Sequence, residues 1–256
     1  MKTVTKRASL FFINTCNYVG LLKENFVFEK VLREWRSLFT KVLTSPSYKK
    51  ILQGKVTVEE YSEICRQFYF YTSVNPQIQA LAAVHFKGQQ KRFVKQFFKH
   101  AISEIGHDSL ALNDLRTLGY DIDFISRGEP SAQTQALISY PFFLIQHKSP
   151  VSYLGYLFHL EFAPTAIGDE AIEGFLKSGI PLSALTFLTE HATVDLVHNK
   201  LMESYIEGLV KTNEDYYNVV TAMRNTAEYH TRMMDEAIAL SGLVSSRCSS
   251  ESRLGL

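Results

Sequence analysis

The chain has 256 residues, 46% of them hydrophobic and 21% charged, enough to bury the core of one large domain or two small ones. Its formal net charge of +1 removes any electrostatic case for nucleic acid or an acidic membrane surface as partner. Three scattered cysteines, Cys16, Cys65 and Cys248, fit neither a disulfide framework nor a CxxC metal site, and read as reduced thiols of a cytoplasmic protein.

Residues 1–22 read as an N-terminal arm. Lys2, Lys6 and Arg7 precede a moderately apolar run, as in a signal peptide, but Asn14 and Asn17 interrupt it and no cleavage site is clear. The run is too short and too polar to span a bilayer. From Glu24 to Thr44 apolar residues recur at helical spacing until Ser45-Pro46 stops them. Thr57 and Glu60 form a capping box that opens a helix through Val74; Pro76 is expected to kink it, and IQALAAVHF to continue it.

After a polar turn at residues 88–92, one long helix is expected from Arg92 to Leu118, ending at Gly119. Gly128-Glu129-Pro130 is a loop, followed by a helix to His147. Ser149-Pro150 starts another that runs through YLGYLFHLEFAPTAIGDEAIEGFL to the stop at Gly179-Ile180-Pro181. Two more follow, Leu182 to Leu209 and Asn213 to Leu240. No strand pair is evident. The expected fold is all-α, a single bundle of about seven helices over residues 23–244, with a serine-rich disordered tail at 245–256.

Three segments carry candidate chemistry. His191, Asp195 and His198 lie at i, i+4 and i+7, within roughly 60° on one helical face. They read equally as an open half-site of two imidazoles and a carboxylate or as two core histidines beside a solvated Asp. Glu104 and His107, at i and i+3, can reach one point or form an exposed pair. His100, one turn earlier and beside Lys99, reads as a surface histidine.

Glu161 is the only acidic residue from Pro130 to Gly168, in a stretch apolar nearly all round. A buried carboxylate needs neutralisation, an ion pair or a metal. Lys148 is the only basic residue between Arg127 and Lys177, so an ion pair would draw on another helix, with Arg66 as the candidate. Pro164 would loosen the helix beside it.

Together Glu104, His107, Glu161, His191, Asp195 and His198 offer three imidazoles and three carboxylates. Oxygen and imidazole donors without thiolate suit iron or manganese better than structural zinc. Six ligands exceed what one ion with open positions requires, so two carboxylate-bridged ions is the economical arrangement. His85, His147, His159 and His230 have no partner at ligand spacing and read as packing or surface residues.

The order E-x2-H, a lone Glu in an apolar helix, then H-x3-D-x2-H resembles the heme-oxygenase-like non-heme di-iron oxidases, also called iron-containing redox enzymes. The likeness extends upstream through SPSYKKILQGKVTVEEYSEICRQFYFY and covers Glu24 to Leu240. The compact Glu104-x2-His107 spacing is similar to the fatty-acid decarboxylase branch that makes terminal alkenes. The resemblance implies a TenA/PqqC-like bundle holding two iron ions, with Glu104 and Glu161 bridging, His107 and His191 on one ion, and Asp195 and His198 on the other.

It also implies O2 as co-substrate, an external electron donor such as a reductase, and a small carboxylate- or amine-bearing substrate. The reactions implied are oxidative decarboxylation, C–C cleavage and N-oxygenation. Glu190 beside His191 is an outer group or a solvated one, and a homodimer is compatible with the reading. Two alternatives remain open: a metal-free TenA/PqqC-like enzyme and a helical interaction module without chemistry. A TenA-like hydrolase needs an activated cysteine, and Cys65 has no evident base beside it. Heme would need an early proximal histidine, and none precedes His85.

Overall fold

Apolar residues at helical spacing place Val31, Leu32, Trp35 and Phe39 on the buried face of α1 (Val27–Val42), the first described helix of the computed structural model. The structure describes residues 26–251, with the side chains of 193–197 and 242–251 left out; the expected N-terminal arm lies outside the described residues. The chain continues as α2 (Pro46–Leu52), α3 (Val58–Thr72), α4 (Asn75–His85), α5 (Val94–Ser103), α6 (His107–Thr117) and α7 (Ile122–Ser126). It ends with α8 (Ala132–His147), α9 (Tyr153–Lys177), α10 (Thr186–Leu209) and α11 (Asn213–Glu251). Short 3-10 turns precede α5 (Gly88–Phe93) and α10 (Leu182–Ala184), and no strand occurs among the described residues.

The all-α expectation holds, but the described residues form eleven α-helices rather than seven. Local chemistry explains the extra breaks. Ser45 accepts from the Tyr48 N–H and starts α2 behind Pro46, and Asp121 does the same for α7 by accepting from Asp123 and Phe124. The expected kink at Pro76 is a full break at Ser73-Val74, with Pro76 in the first turn of a new helix. The long helix expected over residues 92–118 is a 3-10 turn and two helices, separated where Gly106 takes a φ of 97°. Glycine alone enters that left-handed region without steric cost. The Thr57–Glu60 capping box forms as expected.

Helix α9 is the central element, packed against α10 on one side and α11 on another, with α2 and α8 also touching it. Tyr153, Leu154, Tyr156, Leu157 and Phe158 are all buried, and Phe158 with Phe162 meets the aromatic side of α1 at Trp35 and Phe28. α3 packs between α11 and α6, and α6 rests on α10. The last helix runs past Leu240, its expected end, to Glu251, into the segment expected to be a disordered tail; residues 252–256 lie outside the described residues. No described helix is long and apolar enough to cross a membrane.

Where α9 crosses α11 the backbones touch. A Cβ at Gly155 would stand 2.1 Å from the Val219 carbonyl oxygen and 2.7 Å from the Met223 nitrogen. Neither helical backbone atom can move alone. Gly155→Ala is therefore expected to lose about 1–3 kcal/mol or more of stability. That corresponds to a drop of several degrees in the thermal midpoint followed by circular dichroism. An unchanged midpoint would show that the two helices do not cross this closely.

Candidate metal centre

The break at Gly106 gives the first ligand segment its shape. Glu104 caps α5, its N–H bonded 3.2 Å to the His100 carbonyl, and His107 opens α6 with its N–H 3.3 Å from the Glu104 carbonyl. The E-x2-H pair is thus brought together by a tight turn between helices, not by one helical face. Glu161 comes from the middle of α9, and His191 and His198 from α10.

A carboxylate from α6 fixes where α10 begins. Asp114 Oδ1 accepts from the Thr186 N–H at 2.8 Å and its hydroxyl at 2.6 Å, while Oδ2 accepts from the Phe187 N–H at 3.0 Å. These bonds satisfy helix N-terminal donors and set a negative charge at the positive end of the helix. The α6 segment that starts with His107 is thereby tied to the α10 segment that carries His191. Burial pushes the Asp114 carboxyl up from its ordinary range, although the bonds from Thr186 and Phe187 oppose that shift.

The side chains converge in two groups that share Glu104. His100, Glu104, Glu161 and His198 form one; Glu104, His107 and His191 form the other, with the ligand atoms of each group within 4.8 Å of one another. His198 Nδ1 is 3.0 Å from Glu161 Oε2 and 3.4 Å from Glu104 Oε1. His107 Nδ1 is 3.4 Å from Glu104 Oε2. The His107 and His191 rings are 4.8 Å apart, and those of His100 and His198 4.1 Å apart.

The tautomers suit ligation. His191 Nδ1 donates to the Phe187 carbonyl at 2.7 Å, which leaves Nε2 as the lone-pair atom. Burial lowers the His191 pKa, so the ring stays neutral. Burial alone would raise the Glu161 carboxyl, but the imidazoles of His100 and His198 outweigh it and bring it to about 2. A buried carboxylate is thus ionised and faced by histidines.

His100 corrects the sequence reading. It is only 1% exposed, and its Nε2 stands 3.0 Å from Glu161 Oε1. That approach does not line up as a hydrogen bond, and neither ring nitrogen has a hydrogen-bond partner. Buried polar atoms normally find a partner, so an imidazole without a hydrogen bond beside two carboxylates has the donor chemistry of a metal ligand. Its place one turn before Glu104 was the available signal, and the neighbouring Lys99 pointed the other way. Sequence reasoning also missed Ser103, whose Oγ lies 3.4 Å from His198 Nε2, and Asp114.

The other expectations divide. The ion pair considered for Glu161 does not form, because one edge of the Arg66 guanidinium, Nε and Nη2, donates to the Glu63 carboxylate at 2.8 Å and Nη1 donates to the Glu129 carbonyl at 2.9 Å. The Asp195 side chain lies outside the described residues, and Glu190 is exposed. His85 bonds the Leu81 carbonyl, and His147 lies against Phe143. His159 and His230 are not solitary, since they bond each other at 3.2 Å. Burial pushes His159 well down and brings His230 to about 4. Cys65 is a buried free thiol whose pKa burial raises far above its ordinary value, the opposite of an activated nucleophile.

Residues 62–231 match the family described as iron-containing redox enzyme. A domain of unknown function with a heme oxygenase-like fold from Shewanella denitrificans is 27% identical, with 86% of this chain and 94% of that one covered at a TM-score of 0.75. A TenA homologue from P. horikoshii is 11% identical over 84% of this chain and 99% of its own, with a TM-score of 0.69. A CADD-like protein of unknown function from Nostoc punctiforme is 14% identical over 84% and 98%, with a TM-score of 0.64. No curated protein matches. The fold is heme-oxygenase-like.

The Asp114 bonds predict a measurable cost. Asp114→Ala leaves the two N–H groups of Thr186 and Phe187 without their acceptor inside the protein. A loss of about 1–3 kcal/mol is expected in urea unfolding. A smaller loss than that of an exposed control such as Asp123→Ala would remove Asp114 from this role.

Proposed function

The chain belongs to the iron-containing redox enzyme family, and from that membership we propose that it is an O2-dependent, non-heme di-iron oxidase acting on a small carboxylate- or amine-bearing substrate. The observation that carries the reading is the pair of ligand groups meeting at Glu104. One carboxylate common to two groups of nitrogen and oxygen donors is the arrangement that two bridged ions need. Glu104, common to both groups, would serve both ions, with Glu161 as the second shared carboxylate of the proposal. His107 and His191 would hold one ion and His100 and His198 the other, with Asp195 completing the set from the same helix as His191.

When bound, iron would supply the O2 activation and the oxidising power. The chain's own residues hold and shield. Phe187 fixes the His191 tautomer through its carbonyl and covers the ring, stacked at 4.1 Å. Ser103 stands at the far nitrogen of His198. The buried positions of Glu104 and Glu161 keep bulk water from the reacting centre. We place this activity in a helical domain spanning residues 23–244 of a cytoplasmic protein, supplied with electrons by an external donor. The likeness of the Glu104-x2-His107 spacing to the fatty-acid decarboxylase branch puts oxidative decarboxylation of a fatty acid among the candidate reactions, beside C–C cleavage of an amino acid and N-oxygenation.

Anaerobic loading with Fe(II) followed by metal analysis is expected to give about two iron ions per chain. Glu161→Ala and His191→Ala should each bind markedly less while keeping the helical circular dichroism of the parent. Iron no higher than background in the unaltered chain would rule the oxidase out. His100→Ala is expected to weaken iron retention by about 10–100-fold against a chelator if His100 is a ligand or orients one. Retention equal to the parent would return His100 to a packing role. The substrate class follows from O2 uptake by the loaded protein with carboxylic acids and amines offered in turn.

A further inference from the structure

A cavity of about 70 Å³ lies beside the proposed metal centre, lined by His191 and also by His230. Its walls include Phe68, Ile167, Phe175 and Met234, and among the described residues no charged side chain lines it. His230 belongs to a buried chain of hydrogen bonds that the mechanism above does not use. Trp35 Nε1 lies 3.3 Å from His159 Nδ1, and His159 Nε2 lies 3.2 Å from His230 Nδ1.

The direction of this chain is fixed by its first member. An indole N–H can only donate, so His159 Nδ1 accepts and carries no proton. The proton of His159 is therefore on Nε2, which donates to His230 Nδ1. That nitrogen in turn carries no proton, which makes His230 a neutral imidazole with its N–H at Nε2. His230 is 7% exposed and Nε2 has no hydrogen-bond partner. A buried donor left over at the wall of an apolar cavity calls for an acceptor from outside the chain.

We propose that the cavity binds a small, largely aliphatic ligand through a neutral oxygen acceptor, a carbonyl or hydroxyl, which takes the hydrogen bond from His230 Nε2. His230 then selects for that oxygen, and Trp35 and His159 are positioning residues that hold its tautomer. The acceptor is neutral because, among the described residues, no lysine or arginine lines the cavity to balance an anion. The ligand's other end faces His191. The identity of that end as the reacting one rests on the oxidase reading above, but recognition by His230 does not.

Two measurements on the full chain as purified test this. Long-range nitrogen-15 NMR of the histidine rings should find both His159 and His230 in the Nε2–H form; a Nδ1–H form of His230 overturns the proposal. Dissociation constants for 2-hexanone and n-hexane supply the second test. His230→Leu should weaken 2-hexanone relative to n-hexane by about five- to tenfold, and His230→Gln, which keeps an N–H donor, should recover part of that preference. An unchanged ratio in His230→Leu, or equal loss for both probes, would show that no oxygen is recognised there. If His230→Leu does not fold, the tautomer in the unaltered chain and the ratio in His230→Gln still decide. Absence of iron binding with the 2-hexanone preference intact would sink the oxidase and leave this site standing.

Discussion

An ionised carboxylate, Glu161, inside an apolar helical core is the constraint on which this structure turns. Glu161 sits in the most hydrophobic helix of the chain, and the groups that face it are the imidazoles of His100 and His198 rather than a lysine or arginine. An imidazole can be a proton carrier or a lone-pair donor, so such a cluster compensates charge with or without a bound cation. A guanidinium in the same place would satisfy Glu161 permanently and close the position. Arg66 is instead turned away and held on Glu63. Among the described residues no lysine or arginine enters this cluster, and the carboxylates are left to exchangeable partners.

That arrangement depends on packing remote from the ligands. Asp114 ties the start of α10 to α6, so two ligand segments move as one. On the other side, a Cβ at Gly168 would lie 2.9 Å from the Cβ of Ala192, next to His191. α9 and α10 therefore approach closely just where one carries Glu161 and the other its histidines. Small residues set the distance between the helices, and the distance decides whether side chains as short as Glu and His can meet.

Much of this was legible in the sequence because it rests on pattern. The helical class follows from apolar spacing, and Glu161 is conspicuous as a lone acid in forty residues of apolar chain. What could not be read are features set by tertiary context. Gly106 looks like any glycine tolerated in a helix, yet its left-handed φ turns a presumed helical i, i+3 pair into a turn between two helices. Glu104 and His107 lie side by side, but across a turn and not along one helical face. His100 follows Lys99 and looks solvated, but helix α5 turns its lysine outward and its histidine inward. Asp114 acts across seventy residues of chain, beyond any local signal.

The same helix also shows how one element can serve two chemistries without mixing them. His159 and Glu161 are two residues apart, so they leave α9 in nearly opposite directions, about 200° around its axis. Glu161 joins the ionised cluster toward α5 and α10; His159 joins Trp35 of α1 and His230 of α11 in a neutral hydrogen-bonded chain. Leu160, Ala163 and Pro164 line the cavity that both His191 and His230 border. Pro164 cannot donate to the carbonyl one turn back, so the hydrogen-bond ladder of α9 is interrupted beside that cavity. One histidine of the proposed metal centre, His191, and a directional neutral donor, His230, thus border one largely apolar space. Such a space favours a molecule polar at its two ends and apolar between them.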